Sequence, residues 1–212
     1  MKVLILHKWL VSGGAERVLC DYLDILNRFS EVDLLLTYDL GKESFFKPED
    51  LKVNKVYFAL DYETTTKRHQ LHSVRNRNPL NKIKYEGFKY LNENKKFNAY
   101  FKELVANNNY DIIIDFSNCL DKFIKAGKPD HFPPTIRWIH LPDDVSLTKR
   151  KQKKFTPLFN QHDRLVCICP EMSEILQSRL NIPANKFVTL FNPIDINRIE
   201  ENANQSISQS IH

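Results

Sequence analysis

The stretch M-K-V-L-I-L-H-K-W-L-V-S-G-G-A-E-R-V-L-C-D-Y-L-D-I-L, Met1 to Leu26, decides the fold class. Lys2 to Leu6 is a short, almost wholly apolar run, the pattern of a strand buried on both faces. After a gap, Ala15, Val18, Leu19, Tyr22, Leu23 and Leu26 recur at helical spacing, with Glu16, Arg17, Asp21 and Asp24 on the opposite face. Between strand and helix stand Gly13 and Gly14, two of only five glycines in 212 residues. A glycine pair at such a junction forms a tight turn or lets a ligand approach the backbone. Ser12 is the expected N-cap, and the first helical turn would point free N–H groups at an anion. The loop lacks the G-x-G-x-x-G spacing of dinucleotide sites and the Gly-Lys-Ser/Thr of a P-loop.

Six further runs of the same kind follow: Val32–Thr37, Val53–Ala59, Asp111–Phe116, Thr135–Ile139, Arg164–Ile168 and Phe187–Leu190. They are short, β-branched or aromatic, and bounded by polar residues or Pro. Helical patterns separate several of them, most clearly Pro170 to Leu180 with Met172, Ile175, Leu176 and Leu180 on one face. The alternation predicts an α/β fold, a doubly wound and mostly parallel Rossmann-like sheet. Residues 61–79 carry no clear period. From Leu80 a long helical pattern runs through Ile83, Leu91, Phe97, Phe101, Leu104 and Val105, with Gly87 and the Asn-rich 92–98 as expected breaks. This segment reads as a helical, basic insertion. The chain divides into a domain over 1–196 and a polar linker or tail over 197–212, which is too polar to bury itself.

Charge is unevenly spread. The chain carries +5, yet residues 67–102 hold ten Lys and Arg against two Glu, and K-R-K-Q-K-K at 149–154 adds five more cations. The remainder is therefore acidic, at −8. Two basic patches on an acidic body fit a polyanion or an anionic membrane surface, or are simply solvated faces. No RNP motif, zinc-finger spacing or helix-turn-helix signal favours nucleic acid. Cys167 and Cys169 share a strand face, but no second Cys or His pair stands at zinc spacing, so no metal site is expected. Val3 to Leu6 is too short for a signal-peptide core and no run reaches the ~20 apolar residues of a membrane span, which makes a reducing cytoplasm the expected location.

Four motifs in order then carry a resemblance: S-G-G-A-E-R after the first strand, W-I-H at 138–140, D-R-L-V-C-I-C-P-E-M-S-E-I-L at 163–176, and F-N-P-I-D at 191–195. Together they resemble the N-terminal half of family 4 glycosyltransferases of GT-B architecture. The resemblance implies a Rossmann-like domain that receives the acceptor and faces a second domain holding the nucleotide-sugar donor. It further implies retention of anomeric configuration without a metal or other cofactor. By the same resemblance, Gly13 and Gly14 match the loop against the donor diphosphate, and His140 the cleft histidine near the transferred sugar. Asn192, Pro193 and Asp195 match the hinge to the second domain. Ser117, Asn118 and Asp143, which follow strands, are candidates for acceptor hydroxyls, and Asp143 and Asp144 for orienting His140.

The donor-gripping residues of the family would lie in a second domain beyond residue 212. The expectation is an acceptor-binding half that binds nucleotide-sugar weakly alone, since half the diphosphate contacts are absent, and is inactive without a separate donor-binding domain or subunit. A cell-surface glycan or lipid-linked acceptor, met peripherally at the inner face of the membrane, completes that expectation. Two other readings stand beside it. One is a dinucleotide enzyme with Asp39 as ribose acid, which the G-G-A loop disfavours. The other is a non-enzymatic basic module binding a membrane or a polyanion.

Overall fold

Parallel strands buried on both faces need helices on both sides, and that requirement builds this fold. In the computed structural model, which describes residues 1–129, 131–140, 148–194 and 196, seven strands form one sheet. They are β1 (Lys2–His7), β2 (Glu31–Tyr38), β3 (Lys55–Leu60), β4 (Ile112–Asp115), β5 (Thr135–Ile139), β6 (Arg164–Cys167) and β7 (Phe187–Thr189). All pairings are parallel, in the order β3-β2-β1-β4-β5-β6-β7. Each strand expected from the sequence is present, and the doubly wound reading holds.

Alternation along β1 sorts its side chains between two cores. Val3 and Ile5 pack with Leu19 and Leu23 of α1 (Gly14–Leu26) on one face. Leu4 and Leu6 face the other layer, which holds α4 (Phe97–Asn107), α5 (Asp121–Lys125), α6 (Lys149–Asn160) and α7 (Pro170–Arg179). Phe97, Phe101 and Leu104 of α4 share that core with Phe155, Leu158 and Phe159 of α6. α4, at the end of the first basic segment, and α6, which carries the second, thus share one helical layer on the face away from α1.

The insertion differs from its sequence reading. Residues 62–74, polar and without period, form α2 (Tyr62–Val74), capped by Asp61, whose Oδ1 accepts from the Thr64 N–H at 2.8 Å. Capping and a local start signal make this helix, since it has little apolar face to bury. Gly87 lies inside α3 (Pro79–Lys89) without breaking it, and the Asn-rich stretch continues as a π-helical segment, Tyr90–Lys96, directly into α4. Leu80, Ile83 and Leu91, which carry the helical period, face outward. Their neighbour Tyr85 is buried instead, under the His72 ring at 5.4 Å and the Arg75 guanidinium at 5.8 Å.

Where the chain reverses its winding, between β1 and β4, the loops after the two strands diverge and leave a crevice at the C-terminal edge. Beneath it lies a buried charge cluster. Arg137 on β5 is fully buried and its Nη1 donates to Asp115 Oδ2 at 2.9 Å and Asp121 Oδ1 at 2.8 Å. Asp115 also accepts from the backbone N–H of Cys119 at 2.7 Å and of Leu120 at 3.1 Å. The cluster therefore fixes the loop 116–120 that forms the crevice floor.

Candidate active-site cleft

A cavity of about 530 Å³ opens at this switch point. Its walls come from the C-terminal ends of four strands and the start of α1: His7 and Trp9 after β1, Ser117 and Asn118 after β4, His140 after β5, Ile168 after β6, and Gly14 to Glu16. Asn192 closes one side. The structure thus gathers five of the sequence candidates, Gly14, Ser117, Asn118, His140 and Asn192, into one cleft. Asp143, with Asp144, and the hinge candidate Asp195 lie outside the described residues, and Pro193 stands beside the cleft without lining it.

The glycine pair divides its roles. Gly13, not Ser12, is the N-cap of α1; its backbone is extended and no side chain caps the helix. A Cβ at Gly13 would overlap the Glu16 carboxylate, whereas a Cβ at Gly14 would meet nothing within 4 Å. A side chain at Gly13 would have to displace the Glu16 carboxylate, and Gly13 is not part of the cleft lining. At Gly14 no internal packing demands a glycine. Its missing side chain leaves the positive end of α1 bare toward the cleft.

Glu16 and Arg17 do not pair with each other on the helix surface. Glu16 is buried and its Oε1 accepts from His7 Nε2 at 3.3 Å, while Arg17 reaches Asp21 at 2.9 Å. Burial alone would raise the Glu16 carboxyl, but bonds from His7 and its own backbone N–H hold it below the ordinary carboxylate range. The Glu16 N–H is thereby occupied. Gly14 and Ala15 are left as the first-turn groups that can meet a phosphate.

His140 is fixed by the fold. Its Nε2 lies 3.0 Å from the Phe116 carbonyl, which can only accept, so Nε2 carries the hydrogen and Nδ1 is an acceptor. The Phe116 carbonyl is thus its orienting contact among the described residues, and Asp143 and Asp144 lie outside them. Burial lowers the ring to about 4, which keeps it neutral near pH 7. A neutral ring with Nδ1 as an acceptor suits a sugar hydroxyl; it cannot donate that nitrogen to a phosphate. Ser117 Oγ accepts from the Lys8 N–H at 2.8 Å, and Asn118 sits in the left-handed region at φ 63°. Their positions are therefore set by the loop that Asp115 holds. Tyr22 donates to the Phe191 carbonyl at 2.8 Å and lies edge-on to Trp138 at 4.6 Å, tying the last described segment to α1.

Sequence reading missed the Arg137–Asp115–Asp121 cluster and the His7–Glu16 pair. The only signals of the cluster were an Arg inside T-I-R-W-I and an Asp ending I-I-I-D. Asp39, weighed as a ribose acid, instead accepts from the Gly41 N–H at 2.7 Å. Cys167 is buried, and among the described residues no group of three or more His, Cys, Asp or Glu is arranged to hold a metal.

His162 gives a pH prediction. It is fully buried, neither ring nitrogen has a partner among the described residues, and burial lowers it to about 3. A histidine with a depressed folded value binds its proton better when unfolded. Its stabilisation, with that of His140, is complete above about pH 6.5 and is lost as pH falls toward 4 and 3. Thermal melts should show the melting temperature falling across that window, and His162→Leu should flatten the slope.

Residues 12–198 match Glycosyltransferase Family 4. The chain belongs to that family. Among solved structures, this family 4 chain is similar to Anabaena HepE in complex with UDP and glucose: TM-score 0.57, 17% identity, 93% of this chain and 46% of that one. It is similar also to the lipopolysaccharide outer core galactosyltransferase WaaB, with TM-score 0.57, 15% identity, and 92% and 47% coverage. A glycosyltransferase from Rickettsia africae gives TM-score 0.53, 13% identity, and 97% and 49% coverage. These likenesses establish the GT-B glycosyltransferase fold of the domain. This family 4 chain spans about half the length of the structures it matches. No curated protein matches it.

Proposed function

We propose that this domain is the acceptor-side half of a retaining glycosyltransferase, working with a nucleotide-sugar donor held mainly by a second domain. The observation that carries the reading is the convergence of the bare α1 N-terminus at Gly14 and the neutral, oriented His140 on one 530 Å³ cleft at the switch point. In this reading the Gly14 and Ala15 N–H groups face the donor diphosphate, His140 Nδ1 accepts from a sugar hydroxyl, and Ser117 and Asn118 meet the acceptor. Asn192 and Pro193 lead toward the partner domain. No metal or cofactor enters this scheme.

With half of the diphosphate contacts, the chain alone should transfer no sugar and bind nucleotide-sugars only weakly. Calorimetry against UDP-, GDP- and CMP-sugars checks this, and micromolar affinity for any of them would place the main donor site in this half.

A peripheral membrane role has support of its own. Leu80 at 59% and Ile83 at 68% exposure stand on α3 near Lys82 and Lys84, with Tyr90 and Leu91 following on the π-helical segment. Exposed apolar side chains among lysines are the pattern of an interfacial helix, and each Lys contributes about 1 kcal/mol against anionic lipid. No described helix is long and apolar enough to cross a membrane. The buried Tyr85 cannot contribute to such a face. Sedimentation with anionic vesicles at low salt should pull the chain down. Changing Lys149, Arg150, Lys151, Lys153 and Lys154 to Ser should weaken that binding, and a chain that stays in the supernatant refutes the membrane role.

A further inference from the structure

A second cavity of about 340 Å³ adjoins the cleft and shares Lys8, Trp9 and Asn118 with it. Its outer wall comes from the insertion and α5: Arg68, Lys89, Glu93 and Lys122. Arg68 Nε donates to Glu93 Oε1 at 2.7 Å, and Lys122 Nζ stands 3.6 Å from the other carboxylate oxygen. The Arg68 guanidinium also lies over the rings of Tyr38 at 4.7 Å and Trp9 at 5.6 Å, so it is held in place before any ligand arrives. Lys8 and Lys89 enter no ion pair among the described residues.

The charges do not cancel. Asp121, which also lines the cavity, shares Arg137 with Asp115, so those three groups carry one net negative charge. Glu93 carries another. Set against Lys8, Arg68, Lys89 and Lys122, they leave an excess of two positive charges around the cavity. A phosphoryl group carries about −1.5 to −2 near neutrality, which matches that excess.

We propose that this cavity is a subsite for a phosphoryl group on the acceptor, placed so that the acceptor's sugar crosses Trp9 and Asn118 to reach the cleft. The inference rests on the acceptor-side reading above and specifies its substrate as anionic. Burial pulls the Lys122 ammonium below its ordinary value, a strain that an arriving anion would relieve. The basic excess of residues 67–102 then has a local use, beyond any membrane contact.

Titration of the full chain with inorganic pyrophosphate, by calorimetry, tests the subsite. Binding should be measurable for the wild type and should weaken at least about tenfold in K89Q/K122Q, since two charges at the wall are removed. Both side chains are only half-buried, so the variant should fold, and its thermal melt confirms that. Gly14→Val, which alters the other anion site, should leave an undiminished pyrophosphate event at the second cavity. Absence of binding to the wild type, or equal binding by K89Q/K122Q, overturns the subsite. UDP-glucose titrated into the same proteins reports separately: loss in Gly14→Val but not in K89Q/K122Q supports the donor reading whatever pyrophosphate does. Glucose 1-phosphate and phosphatidylcholine vesicles bearing a polyprenyl diphosphate distinguish a soluble from a lipid-borne acceptor. Capture that needs the diphosphate and disappears in K89Q/K122Q marks the lipid source.

Discussion

Arg137→Met should destabilise this domain by about 3–5 kcal/mol, the cost of stranding buried carboxylates without their cation. Asp115 is fully buried and Asp121 partly so, and both depend on the same Nη1. A loss of that size lowers the melting temperature of a chain of this length by roughly 6–20 °C. The effect should reach the cleft, because Asp115 holds the N–H groups of Cys119 and Leu120 and so sets where Ser117 and Asn118 stand. The double variant R137M/D115N should recover part of the loss, since one uncompensated charge is removed with its partner. Calorimetric melts decide the matter. A single variant within about 1 kcal/mol of wild type would show that the cluster contributes little.

Gly14→Val is the second large effect, and it should separate binding from stability. A side chain at Gly14 meets no atom within 4 Å, and Val is a better helix former than Gly by a few tenths of a kcal/mol. The fold should therefore be unharmed or slightly firmer. The isopropyl group would, however, project where a diphosphate must approach the first-turn N–H groups, so UDP-glucose affinity should fall below detection. Gly13→Ala is expected to do the reverse, displacing the Glu16 carboxylate from its place beside His7 and costing stability. If both variants bound nucleotide-sugar as wild type does, the glycine pair would be packing only.

How far the sequence could be read depends on which force shaped each element. The seven strands were legible because burial on both faces leaves nearly continuous apolar runs such as Val3 to Leu6, which little else produces. The helix α2 was not, because it is built by the Asp61 cap and polar contacts, and period-reading detects only an apolar stripe. Ile83 and Leu91 misled in the opposite sense: they keep helical spacing yet face outward. At the site, Gly14 and His140 were found from their place after strands and from family resemblance. Glu16 was read as a surface charge, since nothing local reveals that it folds back onto His7. Arg137 drew no reading of its own inside the Thr135–Ile139 strand, because its two carboxylates come from residues 22 and 16 positions away. Contacts of that separation leave no local pattern.

The central claim, that one cleft at the switch point meets the nucleotide-sugar at Gly14 and His140, is tested most directly by NMR titration of the isotope-labelled chain with UDP-glucose. The account predicts shifts concentrated at the amides of Gly14 and Ala15 and at the His140 ring, weak in affinity and absent in Gly14→Val. Shifts confined to other parts of the surface, with Gly14 and His140 unmoved at saturating ligand, would contradict it.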